Sequence, residues 1–210
     1  MKQANSVTKT MADDKILKLV QLSILTAVTI LMSLTPLGYL PVGPLVISFL
    51  MVPVVVGAII TGPAGGAFLG LVFGLTSFST CVTGTDAFGA MLFGLNPVGA
   101  FLVCVPTRVL AGLLPGLFAK LLSNKMRYRI LYPSAALMGS LCNTFFFLGT
   151  LLLIFGKNTE VAAVLDFDGT SIILYILATV AALNGILEAT ACTVVGAGLS
   201  GIIDRFSRKK

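Results

Sequence analysis

Six long apolar runs, at about residues 16–34, 46–61, 64–80, 97–122, 130–155 and 172–203, leave this chain few ways to fold. A bilayer core is about 30 Å thick, so a helix needs roughly 17–25 apolar residues to cross it. Only 10% of the residues are charged, against about 25% in soluble domains. Most of the chain therefore has no aqueous surface to cover. The expectation is an all-α membrane protein with six transmembrane helices forming one domain over 16–204. A polar cytoplasmic tail at 1–15 and a basic one at 205–210 flank it. Gly62-Pro63 alone separates the second and third runs, which predicts a tight helical hairpin. The last run is long enough to tilt, or to continue as a surface helix.

The basic residues orient the spans. Twelve of the 14 lysines and arginines fall in three places: Lys2, Lys9, Lys15 and Lys18; Lys120, Lys125, Arg127 and Arg129; and Arg205, Arg208, Lys209 and Lys210. With six spans these lie on one side, which the positive-inside rule makes cytoplasmic. The opposite connections hold Lys157 against Asp86, Glu160, Asp166 and Asp168. Both termini are thus expected in the cytoplasm. The net charge of +6 is then a matter of topology, and no nucleic-acid partner is expected. The first run continues to Leu34 without a small-residue cleavage site, and further spans follow, so a cleavable signal peptide is not expected. Three outer connections differ in kind. TPLGYLPVGPL (35–45) reads as an uncharged loop rich in proline and glycine, and STCVTGTDAFGAMLFGLNP (79–97) as a long apolar segment able to fold back over the outer face. KNTEVAAVLDFDGTS (157–171) is polar and acidic.

Several chemistries are disfavoured. There is no histidine, and Cys81, Cys104, Cys142 and Cys192 lack metal-ligand spacing; the three within apolar runs read as small packing residues. No phosphate-binding G-x-x-x-x-G-K-[ST] occurs, so ATP hydrolysis by this chain is not expected. Neither paired catalytic carboxylates nor a Cys-His pair is present, and neither enzymatic activity nor a cofactor is expected. Gly66, Gly70 and Gly74 leave one face of the third run bare, a pattern for close internal helix packing. Ser23 and Ala27 form another small-residue face on the first run.

Polar groups at membrane depth are the sharpest signal. Arg108, Asn143, Asn184 and Glu188 sit in runs four, five and six. At about 1.5 Å per residue all four lie roughly 17–24 Å below the outer helix ends. Asn184 and Glu188, four apart, share a helix face. Two readings are open. Arg108 and Glu188 form an architectural ion pair, with the asparagines bonding between helices; or the four line a polar pocket for a solute, open to the outside. Arginine offers a planar fork of donors suited to a carboxylate, and the amides suit hydroxyls and amides. Pro106, beside Arg108, loosens the backbone there.

Several segments carry a family resemblance: LTPLGYLPVGPLVISFLMVPVVVGAIITGPAGGAFLGLVFGLTSFS (34–79), LNPVGAFLVCVPTRVLAGLLPGLF (95–118), GSLCNT (139–144) and NGILEA (184–189). In order and spacing they resemble the substrate-binding S components of energy-coupling factor (ECF) vitamin transporters. The Asn-Pro opening of span four, its Pro-x-Arg, the Asn-Thr of span five and the Asn-Gly-x-x-Glu of span six are most similar to the pantothenate-type subgroup. The resemblance implies a multi-pass protein of a bacterial plasma membrane that captures a water-soluble vitamin from outside. It also implies partners, a transmembrane coupling subunit and two cytosolic ATPases. The family's Ala-x-x-x-Ala face for the coupling subunit corresponds to Ser23 and Ala27, with serine in place of the first alanine. Its ligand site lies among spans four to six and the outer loops, which adds Asn96 to Arg108, Asn143, Asn184 and Glu188. Pantothenate, with one carboxylate, an amide and hydroxyls, suits these residues, with Glu188 pairing or orienting Arg108. A ring-bearing vitamin would need stacking surfaces such as Tyr39, Phe88 and Phe93. Two other classes stay open: a membrane enzyme or accessory subunit acting on lipid head groups, and an assembly protein without a ligand.

Overall fold

The computed structural model describes residues 2–35, 38–42, 45–123, 125–161 and 183–207, with side chains described for most of these. In chain order the elements are α1 (Lys2–Ser33), β1 (Tyr39–Val42), β2 (Leu45–Ser48), α2 (Met51–Thr61), α3 (Pro63–Thr83), α4 (Ala87–Leu95), α5 (Pro97–Leu122), α6 (Tyr128–Phe155) and α7 (Leu183–Ser207). Among the described residues, four helical stretches are long and apolar enough to cross a membrane: Lys15–Ser33, Pro63–Thr83, Pro97–Leu122 and Tyr128–Phe155. Of the expected sixth span, residues 172–182 lie outside the described residues, and α7 carries the rest.

Local chemistry sets the helix ends. α5 starts where expected because Asn96 caps it, its Oδ1 accepting the Gly99 N–H at 3.0 Å, with Pro97 at the first helical position. The α2–α3 hairpin turns at Gly62, whose φ of 92° a side chain would oppose. α3 ends at left-handed Gly84.

Three expectations are corrected. The segment 35–45 is not wholly loop: β1 and β2 pair antiparallel, Tyr39 opposite Ser48 and Val42 opposite Leu45. The second apolar run accordingly begins as strand. Its helix, α2, has 11 residues, about 16 Å, too short to cross the bilayer core alone. The segment 1–15 is helical from Lys2, continuous with α1. It contains neither glycine nor proline, so nothing in it breaks the helix.

α2 is central, touching α1, α3, α5, α6 and α7. Leu50, Met51, Val54, Val55, Leu69 and Phe73 form the main core, joined by Ala111, Ala136 and Cys192 from α5, α6 and α7. α3 and α5 have the most extensive contact. The expected close packing of the glycine face is realised there: a Cβ at Gly66 would strike Gly112 O, and one at Gly70 would strike Arg108 O. The segment 79–97 does fold back, as α4. Leu92 of α4 packs with Ala100, Val103, Leu148, Leu151, Leu152 and Phe155, covering the adjoining ends of α5 and α6.

Candidate functional site

Arg108 lies about 17 Å along α5 from Pro97. Pro106 has no N–H to offer Leu102 O, which opens the preceding turn. Val103 O in that turn accepts Thr107 Oγ1 at 2.5 Å and Arg108 Nη1 at 2.6 Å. The guanidinium thus folds back along its own helix and is 8% exposed. Its Cζ sits 4.5 Å from the ring centroid of Phe147 on α6 and 5.3 Å from that of Phe73 on α3, in cation–π range of both.

On α6, Asn143 Nδ2 donates to Glu188 Oε1 of α7 at 3.0 Å, with both residues buried. Ser140, one turn before Asn143, lies beside the same carboxylate and is 1% exposed. Arg108 is within electrostatic range of Glu188. Among the described residues, however, the two form no direct ion pair, so the expected pairing is corrected. Each charge has a nearer neutral neighbour: a backbone carbonyl and two aromatic faces for Arg108, the Asn143 amide for Glu188.

Among the described residues, three buried polar atoms of this cluster lack a hydrogen-bond partner: Arg108 Nε, Ser140 Oγ and Asn143 Oδ1. Buried polar groups are nearly always bonded, and leaving one unmet costs about 1–3 kcal/mol. A charged donor, a hydroxyl and an amide acceptor, on two adjoining helices next to a carboxylate, form a polar array inside an apolar bundle.

The other expected site residues are placed differently. Asn96 is exposed, its side chain committed to the helix cap, about 18 Å along α5 from Arg108. Asn184 lies in α7 one turn before Glu188, but its side chain is outside the described residues, as is that of Tyr39. Phe88 and Phe93 pack into the α4 contact, Phe93 edge-on to Phe78 at 5.9 Å. Ser23 and Ala27 are both exposed on α1, with Ser23 Oγ bonded to Leu19 O at 2.9 Å. Ser140, Phe73 and Phe147 were not singled out from sequence. The spacing of Ser140, Asn143 and Phe147, at three and then four residues, marks one helix face and is the signal that finds two of them.

The family model described as "ECF transporter, substrate-specific component" matches residues 17–196, spanning Arg108, Ser140, Asn143 and Glu188. This chain belongs to that family. It is a substrate-specific component of a membrane transporter, a multi-pass protein of the cell membrane, and its family is one of transport components rather than enzymes. The chain is also 30% identical over 164 residues, 74% of each protein, to the pantothenic acid transporter PanT of Lactococcus lactis subsp. cremoris (strain MG1363).

Proposed function

We propose that this ECF component captures pantothenate from outside the cell. It then delivers the vitamin inward with a transmembrane coupling subunit and two cytosolic ATPases. In this reading six segments cross the membrane, the second of them β2 continued by α2, with both termini cytoplasmic. The observation that carries it is the set of three buried atoms without a partner among the described residues, Arg108 Nε, Ser140 Oγ and Asn143 Oδ1, in a chain similar to a pantothenic acid transporter. The carboxylate of pantothenate accepts from the Nε edge of Arg108, whose Nη1 is already held by Val103 O. The hydroxyls and amide meet Ser140 and Asn143. Asn184, one turn before Glu188 in α7, is assigned a supporting place, and Asn96 keeps its role as the cap of α5.

The test is thermal shift of the purified protein against water-soluble vitamins, since a ligand that binds only the folded state raises apparent stability. A rise specific to pantothenate is expected, and Arg108→Ala should abolish it. A rise with a different vitamin would overturn the substrate, and no rise with any would overturn the capture role.

A further inference from the structure

Two of the four cysteines meet. Cys81, near the end of α3, and Cys104, near the start of α5, are both buried, and their Sγ atoms are 3.8 Å apart. The helices carrying them are held at close range, since a Cβ at Gly74 would press on Val105 Cα. Phe78 and Phe93 pack around the pair, and Cys81 Sγ lies against Gly89 of α4. The two thiols are not equivalent. Cys81 Sγ donates to Ser77 O at 3.2 Å, whereas Ser77 Oγ donates to Cys104 Sγ at 3.9 Å. Cys81 Sγ is tied to a carbonyl while Cys104 Sγ only receives a hydroxyl, so Cys104 has the sulfur lone pairs better placed to attack. Cys142 and Cys192 have no sulfur partner among the described residues. As packing groups, Cys81 and Cys104 would do no more than alanine or serine; in contact they have chemistry that neither has.

We propose that Cys81 and Cys104 form a dithiol site that a hydroperoxide oxidises to a disulfide joining α3 to α5. The Cys104 thiolate attacks one oxygen of hydrogen peroxide. The O–O bond breaks, and the departing hydroxide takes the proton that Cys104 released, forming water. Cys104 is left as a sulfenic acid. The Cys81 sulfur then attacks the sulfenic sulfur: the S–S bond forms, the S–O bond breaks, and hydroxide leaves with the Cys81 proton as a second water. The two sulfurs supply the two electrons that reduce the peroxide. Closing from 3.8 Å to the bonded distance asks about 1.8 Å of two side chains together. Cys104 is one helical turn before Arg108, so the cross-link ties α3 to α5 beside the vitamin site and under α4. In the orientation proposed above this end faces outside, the compartment in which disulfides persist.

The full-length protein in detergent is treated with hydrogen peroxide, its remaining thiols are alkylated, and its peptides are mapped by mass. Two of the four thiols should be lost, a peptide linking Cys81 to Cys104 should appear, and dithiothreitol should restore all four. In Cys81→Ser the Cys104 sulfenic acid should persist and be trapped by dimedone. Survival of all four thiols would overturn the proposal. So would loss of Cys142 or Cys192 in preference, or equal loss of Cys81 from Cys104→Ser. The mapping does not depend on any vitamin, so its outcome is separate from that of the thermal-shift test.

Discussion

Among the described residues, the amide of Asn143 rather than a cation donates to the Glu188 carboxylate. That separates two jobs for the carboxylate, holding Asn143 in place and countering Arg108. Glu188→Gln keeps an oxygen for Asn143 Nδ2 and removes the charge. Glu188→Ala removes both and leaves a buried N–H unmet, at about 1–3 kcal/mol. If orientation of Asn143 is the job, Glu188→Gln should hold its vitamin Kd within about tenfold of the parent, whereas Glu188→Ala should weaken it about ten- to a hundredfold. Isothermal titration of both variants checks this, and equal losses would return Glu188 to a countercharge. At this scale the sequence shows which residues matter better than it shows how they pair. Arg108, Asn143 and Glu188 stand out because a polar group at membrane depth is expensive and rare. Their partners depend on helix rotation, which the apolar pattern leaves loose. Ser140 and Phe147 escape notice because serine and phenylalanine are ordinary in apolar runs.

Helices α3 and α5 meet backbone to backbone, and the contact reaches the site, because Gly70 packs on the carbonyl of Arg108 itself. A methyl group at Gly70 has nowhere to go, since its nearest neighbour is main chain rather than a flexible side chain. Gly70→Ala should therefore push α5 away, costing about 1–3 kcal/mol of stability by overpacking and weakening vitamin binding through displaced Arg108. Gly198→Ala on α7 is the control: a Cβ there meets open space, and alanine is the better helix former by about 1 kcal/mol. Its melting temperature should hold or rise. Melting curves and titrations of the two variants test the pair, and an undisturbed Gly70→Ala would contradict close packing. The glycine face and the bounds of α5 were legible because each rests on local chemistry: a four-residue repeat, and an Asn-Pro cap. The β1–β2 hairpin was not. Pro41 inside β1 reads as loop, and proline is tolerated there because a two-stranded sheet has only edges.

Across the whole molecule the helices are unequally enclosed. Half of the apolar stretch of α5 is buried, but only 11% of that of α1. α1 contacts α2 and α3, while Ile16, Leu19, Ile24 and Leu31 stay exposed along with Ser23 and Ala27. Lipid accounts for exposed leucine and isoleucine. It does not call for two small residues one turn apart, a pairing that lets another backbone approach closely. The family resemblance implies that this face takes the coupling subunit, and that expectation has a separable consequence. Ala27→Leu adds bulk at an exposed position of α1, which is outside the polar cluster around Arg108. The variant should fold, and its vitamin-induced thermal shift should match the parent's. Co-purification with the coupling subunit and ATPases, and vitamin uptake by cells, should both fall at least tenfold, because close approach of a second helix is blocked while capture is not. Loss of the thermal shift in Ala27→Leu would place α1 in the binding site instead, and intact uptake would move the coupling surface to another face.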